Sequence, residues 1–186
     1  MILEKKKIVL VGMTGVGKTT IGRVLSKILR RTFIDIDFEV EKASGQKIHH
    51  IFENYGENEF RKIEKKTLYK FLDDEKNFVI STGAGILGDQ QIIDTIKKSS
   101  ICIFLEIKIN NLVERLTNNF KSRPLLKNGN LREKLKNMIE NRTRNYKQAH
   151  IIIPVDGLSI PDIVRRIINN LKYHDMLYPK LETIFL

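Results

Sequence analysis

The sequence predicts an α/β domain built on a parallel sheet with helices on both faces. Two observations carry that expectation. Short apolar runs alternate along the chain with stretches of helical periodicity, the pattern of strands joined by crossover helices. The first run, Ile8-Val9-Leu10-Val11, passes directly into Gly12-Met13-Thr14-Gly15-Val16-Gly17-Lys18-Thr19-Thr20, a glycine loop set between a strand and a helix. Strands covered on both faces are the ones that read as unbroken apolar runs.

The loop has the G-x-x-x-x-G-K-[ST] spacing of a phosphate-binding P-loop. Its glycines let successive backbone N–H groups approach phosphate oxygens with no Cβ in the way. The helix opening near Lys18 adds the positive end of its dipole. Lys18 supplies a mobile charge for the β- and γ-phosphates, and the Thr19 hydroxyl is placed for Mg2+. Thr14, Gly15, Val16, Gly17, Lys18, Thr19 and Thr20 are therefore read as the nucleotide site.

After the loop, Ile21, Val24, Leu25, Ile28 and Leu29 fall on one helical face. Thr32-Phe33-Ile34 makes a second strand ending in Asp35-Ile36-Asp37. Alternation along a strand would put both aspartates on one side, at the ligand-bearing end of a parallel sheet. Glu39 to Ser44 reads as a short helix stopped by Gly45, and residues 48 to 52 begin another helical piece. The adjacent His49 and His50 cannot both reach one metal from a helix and are read as structural. From Gly56 a longer helix presents Phe60, Ile63, Thr67, Leu68, Phe71 and Leu72 inward. Arg61 lies beside that face, flanked by Glu57 and Glu64 at pairing distance; the plain reading of it is a surface ion pair.

Phe78-Val79-Ile80 is a third strand, followed by the small-residue turn Ser81-Thr82-Gly83-Ala84-Gly85. Residues 89 to 98 read as a helix, 101 to 106 as a fourth strand and 110 to 117 as a further helix. The polar, basic stretch 118 to 130, holding Arg123-Pro124-Leu125-Leu126, is expected to be a mobile lid. Leu131, Leu135, Met138 and Ile139 then mark an inward stripe that continues onto Arg142 and Tyr146. An arginine on such a stripe must find an anion or extend out to water. Residues 150 to 153 form the fifth strand, and Ile160 to Leu171 carry a last amphipathic helix; residues 173 to 186 are left unassigned.

At 186 residues the chain is long enough for one domain with a full core. It carries 33 basic and 22 acidic residues, a formal charge of +11. The lysines are dispersed rather than clustered, which fits a basic surface or an anion pocket better than a nucleic-acid-binding arm. The single cysteine, Cys102, sits in Ile101-Cys102-Ile103-Phe104-Leu105 and reads as a buried small hydrophobe. It permits no intrachain disulfide. No apolar run approaches the ~18 residues of a membrane span, and the first run is too short for a signal segment. The expected location is cytoplasmic, with no membrane partner.

Taken jointly, these motifs resemble the shikimate kinase family. Gly12 to Thr20 is similar to its phosphate loop, Asp35-Ile36-Asp37 to its D-x-D, and Gly56-Glu57-x-x-Phe60-Arg61-x-x-Glu64 to its G-E-x-x-F-R-x-x-E. Thr82-Gly83-Ala84-Gly85 resembles its T-G-G-G with Ala84 in place of one glycine. Arg123-Pro124-Leu125-Leu126 resembles its lid, and Arg142-x-x-x-Tyr146-x-x-Ala149 its late arginine motif. The motifs keep family order over about residues 6 to 172. The resemblance implies a single kinase domain (1–186) with the P-loop nucleoside-monophosphate-kinase-like fold: a five-stranded parallel sheet in the order 2-3-1-4-5, helices on both faces and a lid. It implies ATP-dependent phosphorylation of the shikimate 3-hydroxyl in aromatic amino-acid biosynthesis, by a monomer that takes ATP and shikimate. Carried over, Thr19 binds Mg2+ and Asp35 holds it through water. Asp37 receives the substrate hydroxyls, Arg61 and Arg142 take the carboxylate, Gly83, Ala84 and Gly85 line the substrate, and Arg123 closes onto ATP. Lys18, Asp37 and Arg123 form the implied catalytic set.

Three other readings stay open at the level of sequence. Another small-polyol kinase of the same fold, gluconate-kinase-like, would carry the same loop. A basic nucleotide-dependent nucleic-acid-binding module would use the +11 charge. A member that binds ATP alone is left open by Ala84, whose methyl could crowd a ligand or resist a positive φ.

Overall fold

The structure, a computed structural model, describes residues 7–117 and 130–177, with side chains through residue 174. Strand β1 (Lys7–Val11) lies at the centre of the sheet, wholly buried from Ile8 onward. Around it stand β2 (Thr32–Asp35), β3 (Phe78–Ser81), β4 (Ser100–Glu106) and β5 (Ile151–Pro154). All pairs are parallel and the order is β2-β3-β1-β4-β5, the order implied by the sequence motifs. Helix α1 (Lys18–Ile28) follows the glycine loop, α2 (Ile36–Ser44) and α3 (Ile48–Asp73) follow β2, and α4 (Gln90–Ser99) leads into β4. Helices α5 (Ile109–Thr117), α6 (Leu131–Tyr146) and α7 (Ile160–Leu177) complete the chain. No helix among the described residues is long and apolar enough to cross a membrane.

β3 and most of β4 are buried along their length, as expected of inner strands covered on both faces. Cys102 lies there, 2% exposed, and burial pushes its thiol up to about 12. The edge strand β5 alternates buried and exposed residues.

Three boundaries differ from the sequence reading by more than a residue, each for a local reason. α2 begins at Ile36 rather than Glu39, because the Asp35 side chain caps it by accepting from the Phe38 N–H at 3.4 Å. The helical pieces before and after Gly56 run on as one element with a kink at that residue (φ 79°, ψ 173°), a backbone region open essentially to glycine. α7 continues through Leu177 and so takes in the start of the segment left unassigned; residues 178–186 lie outside the described residues. The expected lid lies almost wholly outside them too, Arg123 included. Asn130 survives at its end as the cap of α6, accepting from the Arg132 and Glu133 N–H groups.

Candidate functional site

The C-terminal ends of β1, β2 and β3 open onto a cleft of about 530 Å³. The glycine loop forms one wall. Gly17 closes it in the left-handed conformation at φ 107° and serves as the N-terminal cap residue of α1. Lys18 folds back over the loop, its Nζ donating to the Gly12 and Met13 carbonyls at 2.8 and 3.0 Å. Thr14, Gly15, Gly17, Thr19 and Thr20 share this wall. Val16 does not: its side chain is in the core, its N–H donates to the Met13 carbonyl, and its own carbonyl accepts from Arg115 Nη1 at 3.2 Å. Arg115, on α5, was missed by sequence reasoning; only its place on the polar edge of a helix could have marked it.

The aspartates do meet the loop, by a route other than strand alternation. Asp35 is the last residue of β2 and accepts from the Thr19 hydroxyl at 2.7 Å through Oδ2. Asp37 already stands in the first turn of α2, and the helical turn brings it onto the cleft wall. Burial raises its pKa and neighbouring Asp35 raises it further, while Lys18 and Arg61 pull the other way.

The far wall joins α3, the turn after β3 and α6. The Arg61 guanidinium is held on two sides: Nε and Nη2 donate to Glu57 Oε1 at 3.2 and 2.9 Å, and Nη1 donates to Glu64 Oε2 at 2.5 Å. Glu64, read in the sequence only as a partner at pairing distance from Arg61, is wholly buried. Its carboxyl is pushed up to about 7, mainly by burial, against the opposing charge of Arg61. Periodicity puts it on the stripe between Phe60 and Leu68, but its carboxylate and its pairing distance from Arg61 point to the surface in a sequence reading.

The turn threads between these groups. A Cβ on Gly83 would lie 2.1 Å from Glu64 Oε1 and 2.9 Å from Asp37 Oδ1, and one on Gly85 would lie 2.2 Å from Arg61 Nη2. Neither position has room for a side chain. Ala84 between them keeps an ordinary backbone: among the described residues Arg30 is the only non-glycine with a positive φ. The strain that Ala84 threatened on sequence grounds is therefore absent. Its carbonyl accepts from Arg142 Nη1 at 3.3 Å and from the Tyr146 hydroxyl, while Asn145 Nδ2 donates to the Leu87 carbonyl at 2.7 Å. α6 is thus pinned to the turn, and Arg142 reaches the cleft beside Met138.

One sequence reading changes in detail. His49, read as structural, lines the cleft, its ring 4.1 Å from that of His50. Asp156, after β5, accepts from the Lys108 N–H at 3.0 Å and from Asn111 Nδ2 at 2.6 Å, joining the loop after β5 to the start of α5.

One cleft is thus lined by a phosphate-type loop whose Thr19 hydroxyl is paired with Asp35, by a half-buried aspartate and by two arginines. The family model described as shikimate kinase matches residues 14–172. A shikimate kinase of Persephonella marina is 38% identical over 167 residues, covering 90% of this chain and 99% of that protein. The solved shikimate kinase of Acinetobacter baumannii in complex with shikimate has a TM-score of 0.85 and 32% identity, covering 95% of this chain and 96% of that one. A gluconokinase of Sinorhizobium meliloti, at 16% identity and a TM-score of 0.59, shares the fold alone. By the family match across most of its length and by these relatives, the chain belongs to the shikimate kinase family.

Proposed function

We propose that this chain transfers the γ-phosphoryl group of ATP to the 3-hydroxyl of shikimate, giving shikimate 3-phosphate and ADP. The observation that carries this reading is the placement of Arg61 and Arg142, from two different helices, on one cleft wall facing the P-loop and Asp37. Two guanidinium forks match a carboxylate, and a nearby aspartate matches a hydroxyl. A neutral polyol would offer the two arginines no anion in the cleft.

In the proposed mechanism the loop N–H groups, Lys18 and the N-terminus of α1 take the phosphates of ATP. Thr19 and Asp35 would hold Mg2+, Asp35 through water. Their hydroxyl and carboxylate oxygens are hard donors already 2.7 Å apart, and so few protein ligands suit an ion that keeps most of its waters. Bound there, Mg2+ would neutralise charge on the phosphate oxygens. Asp37 orients the attacking hydroxyl and accepts its proton as the new O–P bond forms and the bond to the β-phosphate oxygen breaks. Its raised proton affinity suits that task. Arg61 and Arg142 fix the other end of the substrate, while Gly83, Ala84 and Gly85 give it a close backbone wall. Arg123, outside the described residues, completes the reading as the cation closing over ATP. Every group placed here comes from one chain, and the protein is proposed to work as a monomer.

The test is ADP release with shikimate, gluconate, quinate or no acceptor. Stimulation by shikimate alone is expected. Strong stimulation by gluconate with none by shikimate would overturn the reading.

A further inference from the structure

Glu64 carries an atom that phosphoryl transfer does not employ. Its Oε2 accepts from Arg61, but Oε1, fully buried, has no hydrogen-bond partner among the described residues. Oε1 is aimed at the point beside Gly83 that Asp37 Oδ1 also faces; both oxygens lie within 3 Å of it. A buried ionised oxygen with no donor is costly, and a carboxylate escapes that cost by taking a proton.

The charges around Glu64 decide when it does so. Arg61 and Glu57 face this cluster from α3, Arg142 and Tyr146 from α6, Asp37 and Glu41 from α2, Asp35 from the end of β2 and Lys18 from α1. Burial and Asp37 favour the protonated form, while Arg61 and Arg142 favour the ionised one. An arriving carboxylate would engage the same two arginines and add a negative charge close by. It thereby removes the main support for an ionised Glu64.

Resting on the function proposed above, we propose that Glu64 takes up one proton from solvent at Oε1 when the substrate carboxylate enters the Arg61–Arg142 fork. Oε2 stays on Arg61 throughout, so Glu64 is a positioning residue whose protonation state changes with occupancy. The new Oε1–H becomes a donor facing the cleft between Glu64 and Asp37, and the orphaned atom gains a use. Substrate binding is then coupled to protons, although the carboxylate that binds does not itself titrate near neutrality.

The test is calorimetric titration of the intact protein with shikimate in buffers of different ionisation enthalpy. Close to one proton should be taken up per shikimate at pH 8, and close to none at pH 5.5. The dissociation constant should rise about tenfold per pH unit above neutrality and flatten below it. Glu64→Gln keeps an acceptor for Arg61 and should abolish both the uptake and the slope. A second readout needs no variant: in protein labelled with 13C-carboxyl glutamate, one buried carboxyl signal should move to its protonated position when shikimate is added at pH 8. Binding without proton uptake, uptake that persists in Glu64→Gln, or an unmoved glutamate signal would each overturn the inference and leave the functional reading standing. Failure of shikimate to bind at all would overturn both.

Discussion

Gly83 and Gly85 are fixed as glycines by what stands across from them, Glu64 and Asp37 in one case and the Arg61 guanidinium in the other. Gly83→Ala should fold, since the turn needs no left-handed backbone there. It should weaken shikimate at least ~10-fold in a binding titration, because the buried carboxylate it displaces cannot find another site without losing Arg61. Ala84→Gly, by contrast, should leave shikimate affinity essentially unchanged. Arg61→Ala and Arg142→Ala should each cost ~1.5–3 kcal/mol, or roughly 10- to 150-fold, in shikimate binding with little effect on ATP. Equal losses for both ligands would exclude these arginines as the carboxylate fork. Lys18→Met should lower turnover by at least ~10²-fold in a protein of normal stability. Glu64 also makes a statement about folding. Its carboxyl is raised from an ordinary 4.5 to about 7, so the stability it contributes is full below about 4.5 and is lost as the pH rises through about 7. Relative to Glu64→Gln, the unmodified protein should lose on the order of 3 kcal/mol between pH 4.5 and 8 in denaturant titrations.

Secondary elements were legible where a single periodicity governed them. All five strands, the loop and α1 follow from apolar runs and glycine spacing, and the order β2-β3-β1-β4-β5 followed from the family motifs. Legibility failed where side chains take over from the backbone pattern. The Asp35 cap draws α2 three residues earlier than its apolar residues suggest. Glu64 sits buried on a stripe that a hydrophobic count assigns to Phe60 and Leu68. Arg115 and Tyr146 act on carbonyls distant in sequence, Val16 and Ala84, and no local pattern announces such bonds. The pinning of α6 to the turn after β3 is therefore a property of the folded chain alone. Its cost can be measured. Tyr146→Phe keeps the ring stacked on Phe104, 5.0 Å between centroids, and removes the hydroxyl donated to Ala84. About 1 kcal/mol should be lost, seen as a fall of ~2–4 °C in Tm, with a rise in KM for shikimate as Arg142 loses its fixed neighbour.

At the scale of the molecule, the groups of the proposed mechanism that lie among the described residues gather at one end of a sheet whose middle strands are almost wholly buried. Cys102 lies in one of those strands, paired with Val9 on β1, its N–H given to His150 Nδ1 at 3.0 Å. No partial opening of the cleft would uncover it. Thiols react as thiolates, and this one is both enclosed and held far from ionisation. A labelling reagent should reach it only when the whole sheet comes apart, so the rate of modification is a clock for global unfolding. Ligands that bind the folded chain should slow that clock by mass action, about 100-fold at a concentration 100 times the dissociation constant. The protein thus carries a built-in gauge of occupancy: with one sulfhydryl and no engineered label, binding of nucleotide or substrate at the cleft could be read from the sheet's interior, without any turnover.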